Sequence, residues 1–166
     1  MNNNIEILPL SISKENELLK LIFASLQEGD CLSVFGKLKA NHKNCHAFYK
    51  REILPLIINK DPCFYISENK KIIGFTCCNT GINKAYDLEI LTAVGFITVV
   101  HPNKRRQGFG SRLRLALKDE LEKRKIKKFI FGIRADNEAS LLNAKKLLTQ
   151  IRKDARIISY QFEGNV

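Results

Sequence analysis

The sequence predicts an α/β domain: one mixed sheet with helices packed against it. Three observations carry this. Apolar segments of strand length alternate with segments of helical period along the chain. Two strand segments, 63–67 and 71–78, are close enough to fold back as a hairpin, whereas the later strands are separated by helices. A glycine loop, Arg105-Arg106-Gln107-Gly108-Phe109-Gly110, joins the longest apolar strand to the helix after it.

In chain order, residues 5–10 alternate weakly and form a first strand. Ser13 is placed to cap a helix, with Glu15 and Glu17 complementing its positive end. Leu18, Ile22 and Leu26 lie along one helix face, and that helix should stop near Gly29. Residues 30–45 read as polar and irregular. Residues 48–58 have helical character; Pro55 should kink them or start a new turn, and Asp61-Pro62 should end them. The hairpin turns at Glu68-Asn69-Lys70, and a polar turn at 80–84 precedes a further strand. The long strand, residues 89–100, contains Gly95, a residue that often marks a bulge. Leu113, Leu117 and Leu121 give helix 111–124 its apolar face. A strand at 129–133 follows, and Asn137 opens another helix. Nothing reads as a linker or a repeat, so one domain over 1–166 is expected.

With 166 residues, 45% apolar and 27% charged, the chain can bury the core of a single soluble domain. It has no apolar run of about 18 residues, so no membrane span or membrane partner is expected. Its start, Met1-Asn2-Asn3-Asn4, does not read as a signal peptide. Cytoplasmic residence is the expectation. Five scattered cysteines, Cys31, Cys45, Cys63, Cys77 and Cys78, read as reduced thiols. Adjacent Cys77 and Cys78 in one strand should face opposite sides of the sheet. Cys31, His42, Cys45 and His46 match no zinc spacing, and no metal is expected.

The formal charge is +11, and all of the excess lies in residues 104–156, with 17 Lys/Arg against 6 Asp/Glu. That half also carries the glycine loop. Glycines let the backbone approach an anion, a helix N-terminus presents unpaired N–H groups, and two arginines add full charge. The cluster at 123–128 suits a phosphate-bearing ligand and equally a solvated helix end. The loop lacks the third glycine of a dinucleotide fingerprint and the Gly-Lys-Ser/Thr of a P-loop. Nucleic acid is not an expected partner, because no aromatic platform accompanies the basic residues.

Val100-His101-Pro102 followed by Arg105-x-x-Gly108-x-Gly110, with Leu113, Leu117 and Leu121, the strand 129–133 and Asn137, resembles the GNAT superfamily of N-acetyltransferases. The resemblance is strong over 88–148 and loose elsewhere. It implies a mostly antiparallel central sheet flanked by helices, in which two parallel strands, here 89–100 and 129–133, splay apart. Acetyl-coenzyme A would serve as co-substrate, its pyrophosphate held by Arg105, Arg106, Gln107, Gly108, Phe109, Gly110 and Ser111. Its pantetheine arm would lie against the backbone of Thr98, Val99 and Val100. Asn137 and Ser140 match further family positions near the coenzyme; Asn137 reads equally well as a helix cap. The implied reaction is direct attack of a primary amine on the thioester.

Two family features are absent. Ala144 stands where the family has a tyrosine acting as general acid, and Leu148-Thr149 replaces a closing Gly-Phe pair. The middle of the long strand, residues 92–96, holds no carboxylate; Glu89 and Asp87 at its start are nearest, more commonly solvated turn residues, and Glu89 is the candidate general base. The acceptor site is expected in the first half, around Asp30, Phe35, His42, His46, Phe48 and Tyr49, although a helix packing face is the stronger reading for Phe48, and a homodimer is compatible with the reading. A non-catalytic acyl-coenzyme A sensor or scaffold is the alternative.

Overall fold

The computed structural model describes residues 4–28, 39–82, 91–126, 128–130 and 142. By its internal contacts the chain divides into units 1–130 and 131–166, and the fold described is that of the first. Its strands are β1 (Ile5–Pro9), β2 (Cys63–Glu68), β3 (Lys71–Ile82), β4 (Leu91–Val100) and β5 (Lys128–Ile130). They form one sheet in sequential order. The first three pairings are antiparallel and β4–β5 is parallel.

Helices cover both faces. On one face α1 (Glu15–Gln27), α2 (His42–Phe48), the π-turn Tyr49–Ile53 and α3 (Leu54–Ile58) bury Leu18, Ile22, Phe48, Tyr49, Ile53 and Leu56 in one cluster with Cys63, Tyr65, Phe75, Cys77 and Val99. On the other, α4 (Phe109–Lys123) buries Phe109, Leu113, Leu117 and Leu121. These meet Ile66, Ile73, Cys78 and Ala93. The leucine spacing read from the sequence is thus the packing stripe of α4. Cys77 and Cys78 do face opposite layers, as alternation along a strand requires.

Several boundaries differ from the sequence reading, each for a local reason. Ser13 does not cap α1. It lies in a 3₁₀ turn, Ile12–Lys14, with its hydroxyl 2.8 Å from that of Ser11, and the helix starts at Glu15. α2 begins inside the segment read as irregular, because the Asn41 side chain accepts the Asn44 amide at 2.8 Å and caps it. The kink expected at Pro55 takes the form of a π-turn, Tyr49–Ile53, just before it. Proline supplies no N–H and excludes the carbonyl four residues back, so the preceding turn widens. The hairpin turns through Asn69 and Lys70, both at positive φ (50° and 66°), as a two-residue hairpin loop demands.

The polar turn expected at 80–84 begins too early. Thr80, Gly81 and Ile82 remain in β3, paired with Ala93, Thr92 and Leu91. Asp61 is the cause: its buried carboxylate accepts the Thr80 amide at 2.8 Å and the Thr80 hydroxyl at 2.6 Å. Replacing Asp61 with alanine should cost about 2 kcal/mol in urea unfolding, since two part-buried donors of Thr80 lose a charged acceptor. An unchanged midpoint would show that the carboxylate does not hold β3.

Candidate functional site at the end of β4

The site begins with hydrogen-bond parity in the sheet. The His101 amide donates to the Ile73 carbonyl at 2.8 Å, in register with Gly74↔Val100. Alternation then makes Phe75/Val99 and Cys77/Ile97 hydrogen-bonded pairs, and Thr76/Thr98 and Gly74/Val100 non-bonded ones. Val99 therefore commits its main chain to β3. Thr98 and Val100 turn theirs toward the β5 side. Among the described residues, β5 pairs with β4 only at Thr92, Ala93 and Val94. Between these halves the register slips from Cys77↔Ile97 to Asn79↔Val94, placing one extra residue on β4. Gly95, at φ 65°, takes up the bulge that its position in the strand suggests.

The chain leaves β4 through a 3₁₀ turn, Pro102–Lys104, preceded by His101, whose Nδ1 accepts the Asn103 amide at 3.3 Å. Arg105 Nε donates to the Val100 carbonyl at 3.2 Å and ties the loop to the strand end. Lys104 pairs with Glu68 on β2. Gln107 Nε2 reaches the Asn103 carbonyl at 3.4 Å. Arg106 (φ 62°) and Gly108 (φ 81°) then take left-handed backbone conformations that reverse the chain into α4.

The Arg112 amide closes onto the Gly108 carbonyl at 3.0 Å. The amides of Phe109, Gly110 and Ser111 precede that bond and point out of the helix head. Phe109 and Leu113 are buried beneath and fix the helix in place. A Cβ added to Gly110 would lie 3.7 Å from Val100 Cγ2, so the helix head and the strand end are in contact. The arrangement offers oriented N–H dipoles with the exposed Arg106 beside them, which suits an anion of phosphate type.

Thr98, Val100 and the whole run Arg105 to Ser111 are thus gathered at one end of β4. Their contributions differ from residue to residue. Phe109 can take part only through its N–H, its side chain being core. Arg105 shapes the loop through Val100, whereas Arg106 faces solvent. Val99 lies beside them with its main chain directed to β3. Glu89, Asn137, Ser140 and Ala144 lie outside the described residues, as do Asp30, Phe35, Leu148 and Thr149. Of the residues named for an acceptor pocket, Phe48 and Tyr49 are core, at 1% and 0% exposure. The His42 and His46 rings meet in a tilted arrangement, centroids 4.3 Å apart and planes at 55°, and His46 Nδ1 lies 3.7 Å from Glu15.

Cys45, Cys63, Cys77 and Cys78 are free and buried. Burial, then the nearby Cys63 and Asp61, push the Cys78 thiol up to about 12; a hydrogen bond with Cys63 and burial push Cys77 up as well. Both stay protonated and unreactive at neutral pH. Among the described residues no cluster of three His, Cys, Asp or Glu is arranged to hold a metal ion. None of the described helices is long and apolar enough to cross a membrane.

The family model described as acetyltransferase (GNAT) family matches residues 35–148. The chain belongs to the GNAT family. Members of this family are acyltransferases, and the mixed sheet with its parallel β4–β5 pair is the GNAT fold. Among solved structures, an N-acetyltransferase from Staphylococcus aureus Mu50 is similar at 21% identity and a TM-score of 0.67, over 87% of this chain and 82% of that one. A Salmonella typhimurium structure, solved with its cofactor acetyl-CoA, shares 18% identity and a TM-score of 0.65, over 86% and 78%. A ribosomal-protein-alanine N-acetyltransferase from Brucella melitensis shares 17% identity at a TM-score of 0.65, over 86% and 82%. Among curated proteins none matches the sequence.

Two residues that shape this GNAT site escaped the sequence reading. Gly74 lets β3, β4 and α4 approach closely; a glycine inside a strand was the available signal. Thr76 is fully buried against Thr98 and carried no signal in sequence.

Proposed function

We propose that this GNAT protein is an acetyl-coenzyme A-dependent N-acetyltransferase, in which a primary amine attacks the thioester directly. One observation carries the proposal: at the end of β4, the outward amides of α4's first turn adjoin strand residues whose main chain faces away from β3. A diphosphate calls for the first feature and an amide-bearing arm for the second. The acetyl-CoA named with the Salmonella typhimurium structure supports the same ligand.

When bound, the coenzyme supplies an acetyl group activated as a thioester. The amides of Phe109, Gly110 and Ser111 and the guanidinium of Arg106 hold the diphosphate. Thr98 and Val100 orient the arm through their main chain, and the family resemblance adds Asn137 and Ser140 as candidate coenzyme contacts. A β4 amide near the bulge stabilises negative charge on the carbonyl oxygen. Holding amine and thioester together supplies much of the rate. Glu89 is our candidate to take the proton of the amine. Ala144 offers no acid, but a thiol of pKa about 8.5 leaves tolerably as thiolate near neutral pH. We place the protein in the cytoplasm, where its cysteines stay reduced.

Ala144, together with the absence of a carboxylate at 92–96, favours one second reading: a sensor that binds acyl-coenzyme A without turnover. Calorimetric titration with acetyl-coenzyme A, followed by thiol-release assays, decides between them. The acceptor panel is a small primary amine, a peptide with N-terminal alanine and a lysine peptide. Binding with turnover of one acceptor supports the enzyme. Binding with no turnover on any supports the sensor, and no binding overturns both.

A further inference from the structure

We propose that Thr76, a β3 residue remote from the loop, is a positioning residue for the coenzyme arm and acts through Thr98. The inference rests on the coenzyme reading above and adds to it a side-chain role. Thr76 is fully buried. Its Oγ1 lies 3.0 Å from the Ile97 carbonyl oxygen and 2.9 Å from Thr98 Oγ1. A carbonyl only accepts, and a hydroxyl has one proton to give. Thr76 therefore donates to Ile97, and the contact between the two hydroxyls is made by the Thr98 proton. That proton is turned inward. The remaining lone pairs of Thr98 Oγ1 are left as an acceptor of fixed polarity.

The location gives this polarity a use. Thr76 and Thr98 form a non-bonded pair, the kind in which facing side chains come closest. Thr98 is half-buried, and its own N–H and C=O face the β5 side. It precedes Val100 by two residues, about 7 Å along a strand, and Val100 touches the head of α4. A ligand that extends from those helix amides along β4 toward Gly95 passes Thr98 on the way. What this residue recognises is an amide: its main chain offers a donor and an acceptor, and its hydroxyl accepts an N–H. The coenzyme arm carries amides. Without Thr76 the Thr98 hydroxyl is free to rotate, and it meets an arm N–H with its own proton as readily as with a lone pair.

The test compares coenzyme A with 3′-phospho-ADP, which keeps the diphosphate and lacks the arm. Calorimetric affinities are measured for wild type, Thr76→Val, Thr76→Ser, Thr98→Val and the Thr76→Val/Thr98→Val double variant, each with a thermal melt. Thr76→Val and Thr98→Val should each weaken coenzyme A by roughly 3- to 10-fold, one hydrogen bond's worth, and leave 3′-phospho-ADP unchanged. Thr76→Ser should behave as wild type. The double variant should be no worse than Thr98→Val, because both changes remove one interaction. Equal losses on both ligands would assign Thr76 a merely structural role and overturn the inference. So would unchanged coenzyme A affinity in Thr76→Val, or additive losses in the double variant. If Thr76→Val does not fold, Thr98→Val at its half-buried position decides, and unaltered discrimination between the ligands there overturns the proposal. Wild-type protein that binds neither ligand sinks the coenzyme reading and this inference with it.

Discussion

Replacing Gly108 with valine should weaken acetyl-coenzyme A binding by roughly 10- to 100-fold while leaving the protein folded. Gly108 holds φ 81° at the residue preceding α4. A β-branched side chain does not sit there without strain. Among the described residues, chain neighbours apart, no atom lies within 4 Å of an added Cβ, so backbone conformation rather than crowding is the problem. To relieve the strain the chain must rotate, and rotation swings the amides of Phe109, Gly110 and Ser111 off a common target. The helix itself should persist, because Leu113, Leu117 and Leu121 remain buried below it. Asparagine at 108 should retain more affinity than valine, since it tolerates the left-handed region. Gly110→Ala is the control: its methyl would make an ordinary 3.7 Å contact with Val100 and leave the amides in place. Calorimetry with a circular-dichroism melt reads out all three. Wild-type affinity in folded Gly108→Val would remove the phosphate cradle from its assigned place.

The second large effect falls on stability. Gly74→Val should destabilise the protein by about 3 kcal/mol, or roughly 6–12 °C in melting temperature. A Cβ at 74 would lie 2.9 Å from the Val99 carbonyl oxygen and 3.1 Å from both Ile66 Cγ2 and Leu113 Cδ1. Side-chain carbons can retreat a few tenths of an ångström. The carbonyl cannot, because by the parity of the sheet it is bonded to Phe75. Either β3 and β4 part or Leu113 lifts, and Leu113 seats α4. The variant should therefore lose coenzyme affinity in proportion to how far the helix head is displaced. Urea unfolding with an unchanged midpoint would show that the β3–β4–α4 junction is looser than these distances imply.

Local rules made much of this legible. The stripe Leu113, Leu117, Leu121 needed only the helical period, and Gly95 and Gly108 needed only the conformational freedom of glycine. The order of loop after strand and before helix pointed to a phosphate cradle because backbone amides, not particular partners, do the binding there. Reading failed where a distant residue intervened. Thr80 looks like a turn residue until Asp61, nineteen positions earlier, holds it in β3. Tyr49 looks like a pocket lining until α1 and the sheet enclose it, together with Phe48, whose stronger reading was a helix packing face.

By itself, then, the sequence determined the element types, the core stripe of α4, the glycine positions and the GNAT motif, all properties of neighbours along the chain. Tertiary structure alone decided which residues of β4 face the β5 side and what Arg105 is tied to. It also decided that Thr76 lies against Thr98. Hydrogen-bond parity is set by the partner strand and by where the bulge falls, so no single segment contains it.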